Sequence, residues 1–399
     1  MSLRPETDYV YDSAAMIAEP DLVLGEIRKD GDLVWSNTMR RWLALSNAAA
    51  RDTLRNRHLR VHDLFGNFKH IERRTGVDLS DLLRISAWIP FLHDGAQHTS
   101  LRAVFARVLA DLRIDYLDAF SEGSQDMLDA LCRAGEGDLA VDYADRLHVE
   151  AIGRLAGIDP AQRLWIARNA ASQGSIDFGA SVSEMLDVNK RGAALLARIE
   201  TVTAGTGAAK FMDRIGDALR ACGVDDTHAH RVECLTALLL LGRDTLAGTV
   251  TLGLAHLFGK GGGNIEQSAL ESASSMTDEI IRLSSAVQIS IRVASCDLLL
   301  RGQTVKEGEM VMIFLQAANR DPEAFACPHR VDTANKGHVA FGAARHLCAG
   351  MPLSREAVGI ALSQIAKIEN IEALSGWTFG PSRNTRKLDT MAVRIKASS

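Results

Sequence analysis

The chain has 399 residues, 47% of them hydrophobic and 5% aromatic, with a formal net charge of −5 mixed along its length. Core material is ample and rich in Leu and Ala, which favours helices over a sandwich, and the charge balance argues against a nucleic-acid partner. The six cysteines (132, 222, 234, 296, 327 and 348) show no CxxC spacing, which argues against a disulfide framework or a zinc knuckle and for a reducing compartment. The first residues are too acidic and polar for a signal peptide, and no apolar run reaches the roughly 18 residues of a membrane span. A cytoplasmic protein without membrane attachment is expected.

In chain order, 33–35 and 41–45 read as a hairpin turned by Ser36, Asn37 and Thr38, and 48–56 as a helix. Residues 60–97 read as loop and short helix, punctuated by Gly66, Gly76, Pro90 and Gly95. From Thr99 the pattern is helical, with Leu101, Val104, Phe105, Val108 and Leu109 on one face. Further helices are predicted near 115–134, 141–155, 160–172, 182–203 and 208–221, with a flexible link at Gly174 and Gly179. A long helix over 226–258 is apolar all round at 238–241, so it should be buried on all sides, and 260–264 should stop it. A helix over 267–284 precedes strands at 287–294, 297–300 and 310–314. The last helix should run from Cys348 to about 368, followed by a strand over 388–395. No repeat or linker stands out, so one mainly α domain with a minor β region is expected over 1–399.

Four motifs carry chemistry. Cys348 closes FGAARHLCAG at 341–350, where Gly342 and Gly350 let the backbone curl close to something flat or bulky. The mouth of a helix and the neighbours Arg345 and His346 favour the thiolate, which either attacks a substrate or binds a metal. A buried inert cysteine and a cysteine protease are the other readings, the latter without a suitable Asn/Asp–His context. Asp244 and Thr245 follow Gly242 inside the apolar helix, where an acid and a hydroxyl are costly to bury. Thr245 can bond a backbone carbonyl and open a groove for a small molecule; equally, Asp244 can pair with an arginine and Thr245 pack in the core. Glu279 and Arg282, three apart, read alone as a surface ion pair. His98 and Arg102, one turn apart, can address one anion or simply form a solvated face.

Together and in this order, these motifs resemble a cytochrome P450 over nearly the whole chain. The 318–322 segment ANRDP, the 353–356 segment LSRE and the 386–394 hairpin are also similar to that family. The resemblance implies the P450 fold, with haem b (iron protoporphyrin IX) between the long central helix and the Cys-bearing helix. Cys348 matches the iron-holding thiolate, with Phe341, Gly342 and Gly350 in its loop. His98, Arg102, Arg292 and His346 fall where the family binds the propionates. Asp244 and Thr245 match the acid–alcohol pair that relays protons, with Gly242 as a notch making room for dioxygen. Glu279 and Arg282 match its structural pair, with Arg330 as candidate third member. Pocket walls are expected from the 65–92 loop, the 165–190 region, the helix before Asp244 and Val287 to Ser290, with Trp88, Phe91, Leu238, Leu241, Val287 and Ile289 as named candidates.

Four departures from the family pattern stand out: Ala344 replaces a loop glycine, Ala286 replaces a proline, the segment before Phe341 is shortened, and Lys387 stands where glycine is common. The implied activity is insertion of one oxygen atom into a small organic molecule, most simply C–H hydroxylation in secondary or xenobiotic metabolism. This length leaves no room for a flavin or iron–sulfur domain. Electrons should therefore come from a separate ferredoxin-type donor with its NAD(P)H reductase, docking near Arg345. The alternatives are coupling, nitration or peroxide-driven oxidation, and a haem protein that only binds a ligand.

Overall fold

The computed structural model describes residues 6–8, 16, 19–170, 180–258, 263–264, 276–332, 335–374, 376–380 and 384–396. The link at Gly174 and Gly179, most of the 260–264 stop and the first part of the 267–284 helix lie outside these residues. The chain forms two compact units, one from residues 1–62, 278–348 and 383–385, the other from 63–277, 349–382 and 386–399. Sequence pattern suggested one domain because each unit interrupts the other, so no linker or composition shift marks the division.

The first unit is built on a six-stranded sheet in the order Glu6–Thr7, Leu33–Ser36, Arg41–Ala44, Met310–Phe314, Ile289–Ala294, Leu59–Val61. The expected hairpin pairs Trp35 with Trp42, their rings edge to face at 5.6 Å. Met310–Phe314 runs parallel to Arg41–Ala44 and antiparallel to Ile289–Ala294. Leu33, Trp42, Leu54, Leu59, Val311, Ile313 and Val339 form one buried cluster. The helix Asn47–Arg55 contributes to it and is started by Ser46, whose side chain accepts from the Ala49 N–H. Leu298–Leu300 finds an unforeseen partner in Gln303–Val305 across a turn at Arg301 and Gly302. Both turn residues have positive φ, the geometry that matches strand twist in two-residue hairpins.

The second unit is helical. Where two helices were predicted before residue 134, a single helix Gly95–Ala134 of 40 residues runs through. Its buried stripe continues without a gap through Leu112, Tyr116, Phe120, Ser124, Met127 and Leu131. Polar residues near 111–115 face outward and do not break it. Helices Asp145–Leu155, Pro160–Asn169, Val182–Thr203 and Thr206–Ala221 lead to the central helix His228–Phe258. By length and composition this helix could cross a membrane, contrary to the sequence expectation, yet 78% of its apolar window is buried inside the protein. It is therefore a core helix.

The C-terminal helix is Met351–Ile365, starting after Cys348, because Gly350 caps it and Pro352 fits its first turn. The predicted strand over 388–395 is two strands, Leu388–Thr390 and Ala392–Ile395, in different sheets. Met391 separates them, its N–H donating to Asp138 Oδ1 and its carbonyl accepting from Leu139.

Candidate functional site

In the first unit the Cys348 loop folds on itself. The Gly342 N–H donates to the Val339 carbonyl at 2.8 Å, Leu347 to Ala344 at 3.1 Å, and Cys348 to Phe341 at 3.0 Å. Gly342 has φ +71, and a Cβ on it would come within 3.3 Å of the His346 carbonyl, so glycine is required there. Gly350 is different: at φ −83 it uses no glycine-only conformation. Ala344 opens a 3-10 turn at φ +56, the left-handed region that an alanine tolerates poorly. One Arg345 guanidinium nitrogen donates to the Leu59 carbonyl at 2.7 Å. Closing the loop leaves the Cys348 residue exposed.

That thiol fits a haem better than a bare ion. Among the described residues no cluster of three or more His, Cys, Asp or Glu could hold a metal. A lone cysteine supplies one ligand, so the metal it holds must arrive with its other ligands in place, as iron in a porphyrin does.

Glu279 and Arg282 are buried, so the surface-pair reading falls. The guanidinium meets the carboxylate twice, at 2.7 and 2.9 Å. It also donates to the carbonyls of Asn319 at 2.6 Å, Pro328 at 2.9 Å and Arg330 at 3.0 Å. The proposed third member, Arg330, thus contributes its backbone oxygen, and its residue is exposed. Glu279 instead accepts from the Asn335 amide and the Asp332 N–H, each at 3.0 Å. The bracing continues to the cysteine loop, since Asn319 Oδ1 accepts from the Val339 N–H at 2.7 Å. Arg292 is buried in strand Ile289–Ala294 and donates to Ser290 Oγ and the Ile291 carbonyl. His346 is half-buried in the 3-10 turn.

In the second unit, His98 is buried and Arg102 half-buried in the first turns of Gly95–Ala134. The central helix is buried from Val232 to Leu254 except along one strip, Leu241, Gly242, Thr245 and Thr249, which is half-exposed. Leu241, Thr245 and Thr249, spaced four apart, share one helical face. Thr245 donates to the Leu241 carbonyl at 2.9 Å, and Thr249 to the Thr245 carbonyl at 2.8 Å. The helix stays continuous, so the hydroxyl bonds back without breaking the ladder. Asp244 is buried and paired with its neighbour Arg243.

The Gly242 notch holds something unforeseen. A Cβ there would lie 2.4 Å from the His148 ring, so His148 fills the space assigned to dioxygen. His148 Nε2 donates to the Leu238 carbonyl at 3.0 Å, leaving Nδ1 to accept from the Tyr116 hydroxyl at 2.8 Å. Burial pushes the imidazole down to about 4, against the opposing pull of the Leu238 carbonyl, so the ring is neutral at pH 7. No short-range signal marks His148, which lies on another helix 90 residues from Leu238.

The named wall residues divide. Trp88 is buried, its indole N–H donating to Glu233 at 2.8 Å, while Arg84 takes the other Glu233 oxygen at 2.8 Å. Phe91 is 56% exposed at the surface. Leu238 is buried and Leu241 half-exposed on the open strip of the central helix. Val287 packs against the first unit's core, and Ile289 is buried opposite Phe314.

A cysteine on a self-closed loop, a buried Glu–Arg brace behind that loop and a mainly helical chain are what the structure puts beside the following likenesses. The family model for Cytochrome P450 matches residues 267–367. A Mycobacterium tuberculosis relative of the cytochrome P450 140 type is 27% identical over 86% of this chain and 81% of its own. Protein AknT of Streptomyces galilaeus is 26% identical over 83% of this chain and 75% of its own. Among solved structures, P450BioI in complex with an acyl carrier protein ligated to hexadec-9Z-enoic acid has a TM-score of 0.80 at 19% identity, covering 96% of this chain and all of that one (100%). Epothilone B-bound P450epoK has a TM-score of 0.78 at 18% identity, covering 98% and 100%. The chain is thus similar, in sequence and in fold, to bacterial cytochrome P450s, which are oxidoreductases of the monooxygenase class.

Proposed function

We propose that this chain is a P450 that uses haem b to insert one oxygen atom into a small organic substrate by C–H hydroxylation, in secondary or xenobiotic metabolism. The position of Cys348, an exposed residue at the end of its closed loop, carries this reading. Cys348 would hold the iron, and Arg292 and His346 offer charge and hydrogen bonds to propionates. By the family resemblance, His98 and Arg102 are assigned to the propionates as well. When bound, the iron porphyrin supplies reduction of dioxygen and cleavage of its O–O bond.

The chain's own residues would then manage protons. Thr245 spends its hydroxyl proton on Leu241, so its oxygen is free to accept from a water on the open strip. Asp244, one residue earlier, is the acid placed to resupply that water, provided its carboxylate leaves Arg243. Solved P450s of similar fold include one with epothilone B bound and a post-tailoring hydroxylase of himastatin biosynthesis, which supports a substrate of natural-product size. Electrons are assigned to a ferredoxin-type donor, and the compartment to the cytoplasm.

The test is the carbon monoxide difference spectrum of the reduced holoprotein. The wild type should show the thiolate-ligated band, and Cys348→Ser should lose it. An unchanged spectrum in the serine variant removes the reading.

A further inference from the structure

The charged residues around Asp244 form a row within the second unit. Arg243 is buried and fully engaged: Nε donates to the Ala167 carbonyl at 2.9 Å, Nη1 to Asp244, and Nη2 to Asp145 at 3.1 Å. Asp145, on helix Asp145–Leu155, receives Lys387 Nζ on both oxygens at 2.9 Å. Lys387 is also 3.7 Å from Asp389, whose side chain is 42% exposed. Charge therefore alternates from Asp389 at the surface, through Lys387, Asp145 and Arg243, to buried Asp244.

Arginine does not give up its proton in proteins, so this row is no proton wire. It is a competition. Asp244 and Asp145 share one guanidinium, while Lys387 and Arg243 share the Asp145 carboxylate. Water screens such pairs poorly when they are buried, so a change at one end is felt at the other.

We propose that Asp145 and Lys387 are positioning residues that set how tightly Arg243 holds the Asp244 carboxylate. The proposal rests on the reading of Asp244 as the proton-supplying acid. It also gives a role to Lys387, the departure from glycine that the mechanism leaves unused. Asp145→Asn leaves the guanidinium to Asp244 alone, so the acid is held more tightly. Lys387→Met returns Asp145 to Arg243, so Asp244 is held more loosely. In the double variant Lys387 has no Asp145 carboxylate to act through, so it should match Asp145→Asn alone. Two merely structural losses would instead accumulate.

Infrared spectroscopy of the resting holoprotein, with Asp244→Asn subtracted, isolates the Asp244 carboxylate stretch. The band should move in opposite directions in Asp145→Asn and Lys387→Met, sit where Asp145→Asn puts it in the double variant, and stay in place in Lys387→Arg. Shifts in the same direction, or none, at wild-type haem content overturn the proposal. Lys387→Met decides alone if Asp145→Asn does not accumulate, since the ammonium sits at the solvent end of the row; an unmoved band then overturns it. A second readout is the solvent isotope effect on oxygen uptake driven by spinach ferredoxin and its reductase. It should rise in Asp145→Asn and fall in Lys387→Met. Shifted bands with an unaltered isotope effect uphold the network and sink the proton-supply reading of Asp244; unshifted bands sink the network itself.

Discussion

Replacing Gly242 by alanine tests how the central helix is seated. The new Cβ would lie 2.4 Å from two atoms of the His148 ring and 2.7 Å from a third. That is roughly 1 Å short of the distance at which carbon atoms normally touch. The ring has nowhere to go, since Tyr116 holds Nδ1 and the Leu238 carbonyl holds Nε2. Overpacking of this kind costs about 1–3 kcal/mol. Displacing the ring strands buried hydrogen-bonding groups at about 1–3 kcal/mol more. Against this, alanine gains about 1 kcal/mol in helix propensity. The expected balance is a loss of roughly 3 kcal/mol, read from denaturant unfolding of the holoprotein. In a His148→Ala background the obstacle is gone, and the same substitution should stabilise by about 1 kcal/mol. A gain of that size with His148 present would refute the reasoning.

His148 also predicts a pH dependence. Its folded value is depressed to about 4, below the unfolded value near 6.5. Above 6.5 the ring is neutral in both states and its stability contribution is complete. As pH falls from 6.5 toward 4 the unfolded chain takes a proton that the folded ring refuses, and stability drops by about 1.4 kcal/mol per pH unit. Unfolding midpoints at pH 7 and pH 5 should show this drop in the wild type and much less of it in His148→Phe; equal slopes would contradict it. Glu279→Gln leaves the buried Arg282 charge poorly paired and should cost about 3–5 kcal/mol. Asn335→Ala, losing one hydrogen bond, should cost about 1–2 kcal/mol. If Asn335→Ala is neutral in thermal melts while Arg330→Ala destabilises, Arg330 regains the third place. Trp88→Phe strands one Glu233 oxygen and should cost about 1–3 kcal/mol, whereas Phe91→Ala at the surface should stay within about 0.5 kcal/mol. The reverse order in melting temperature would undo both assignments.

What the sequence revealed and what it hid follow one division. Local signals were legible: the Trp35 hairpin, the Gly342 turn, and the spacing of Glu279 and Arg282. Partners distant in sequence were not. Glu279 meets Asn335 across 56 residues, and Gly242 meets a histidine 94 positions away, so no window on the chain could pair them. Lys387 looked like an oddity because its partner, Asp145, lies 242 residues upstream. The open strip on the central helix was hidden for another reason. Its residues are as apolar or small as their buried neighbours, so hydropathy alone could not separate the two faces.

The first unit's sheet joins residues made at opposite ends of synthesis: Arg41–Ala44 lies beside Met310–Phe314, and the Asn47 N–H bonds to Asp321 across 274 residues. At ribosomal speeds of about 5–20 residues per second, the nascent Trp35 hairpin waits roughly a quarter of a minute to a minute for its neighbouring strand. Throughout that interval it presents an unpaired edge and two tryptophans while the helices of 63–277 emerge after it. Slow translation or scarce chaperones should therefore harm the yield of this protein more than its finished stability would suggest.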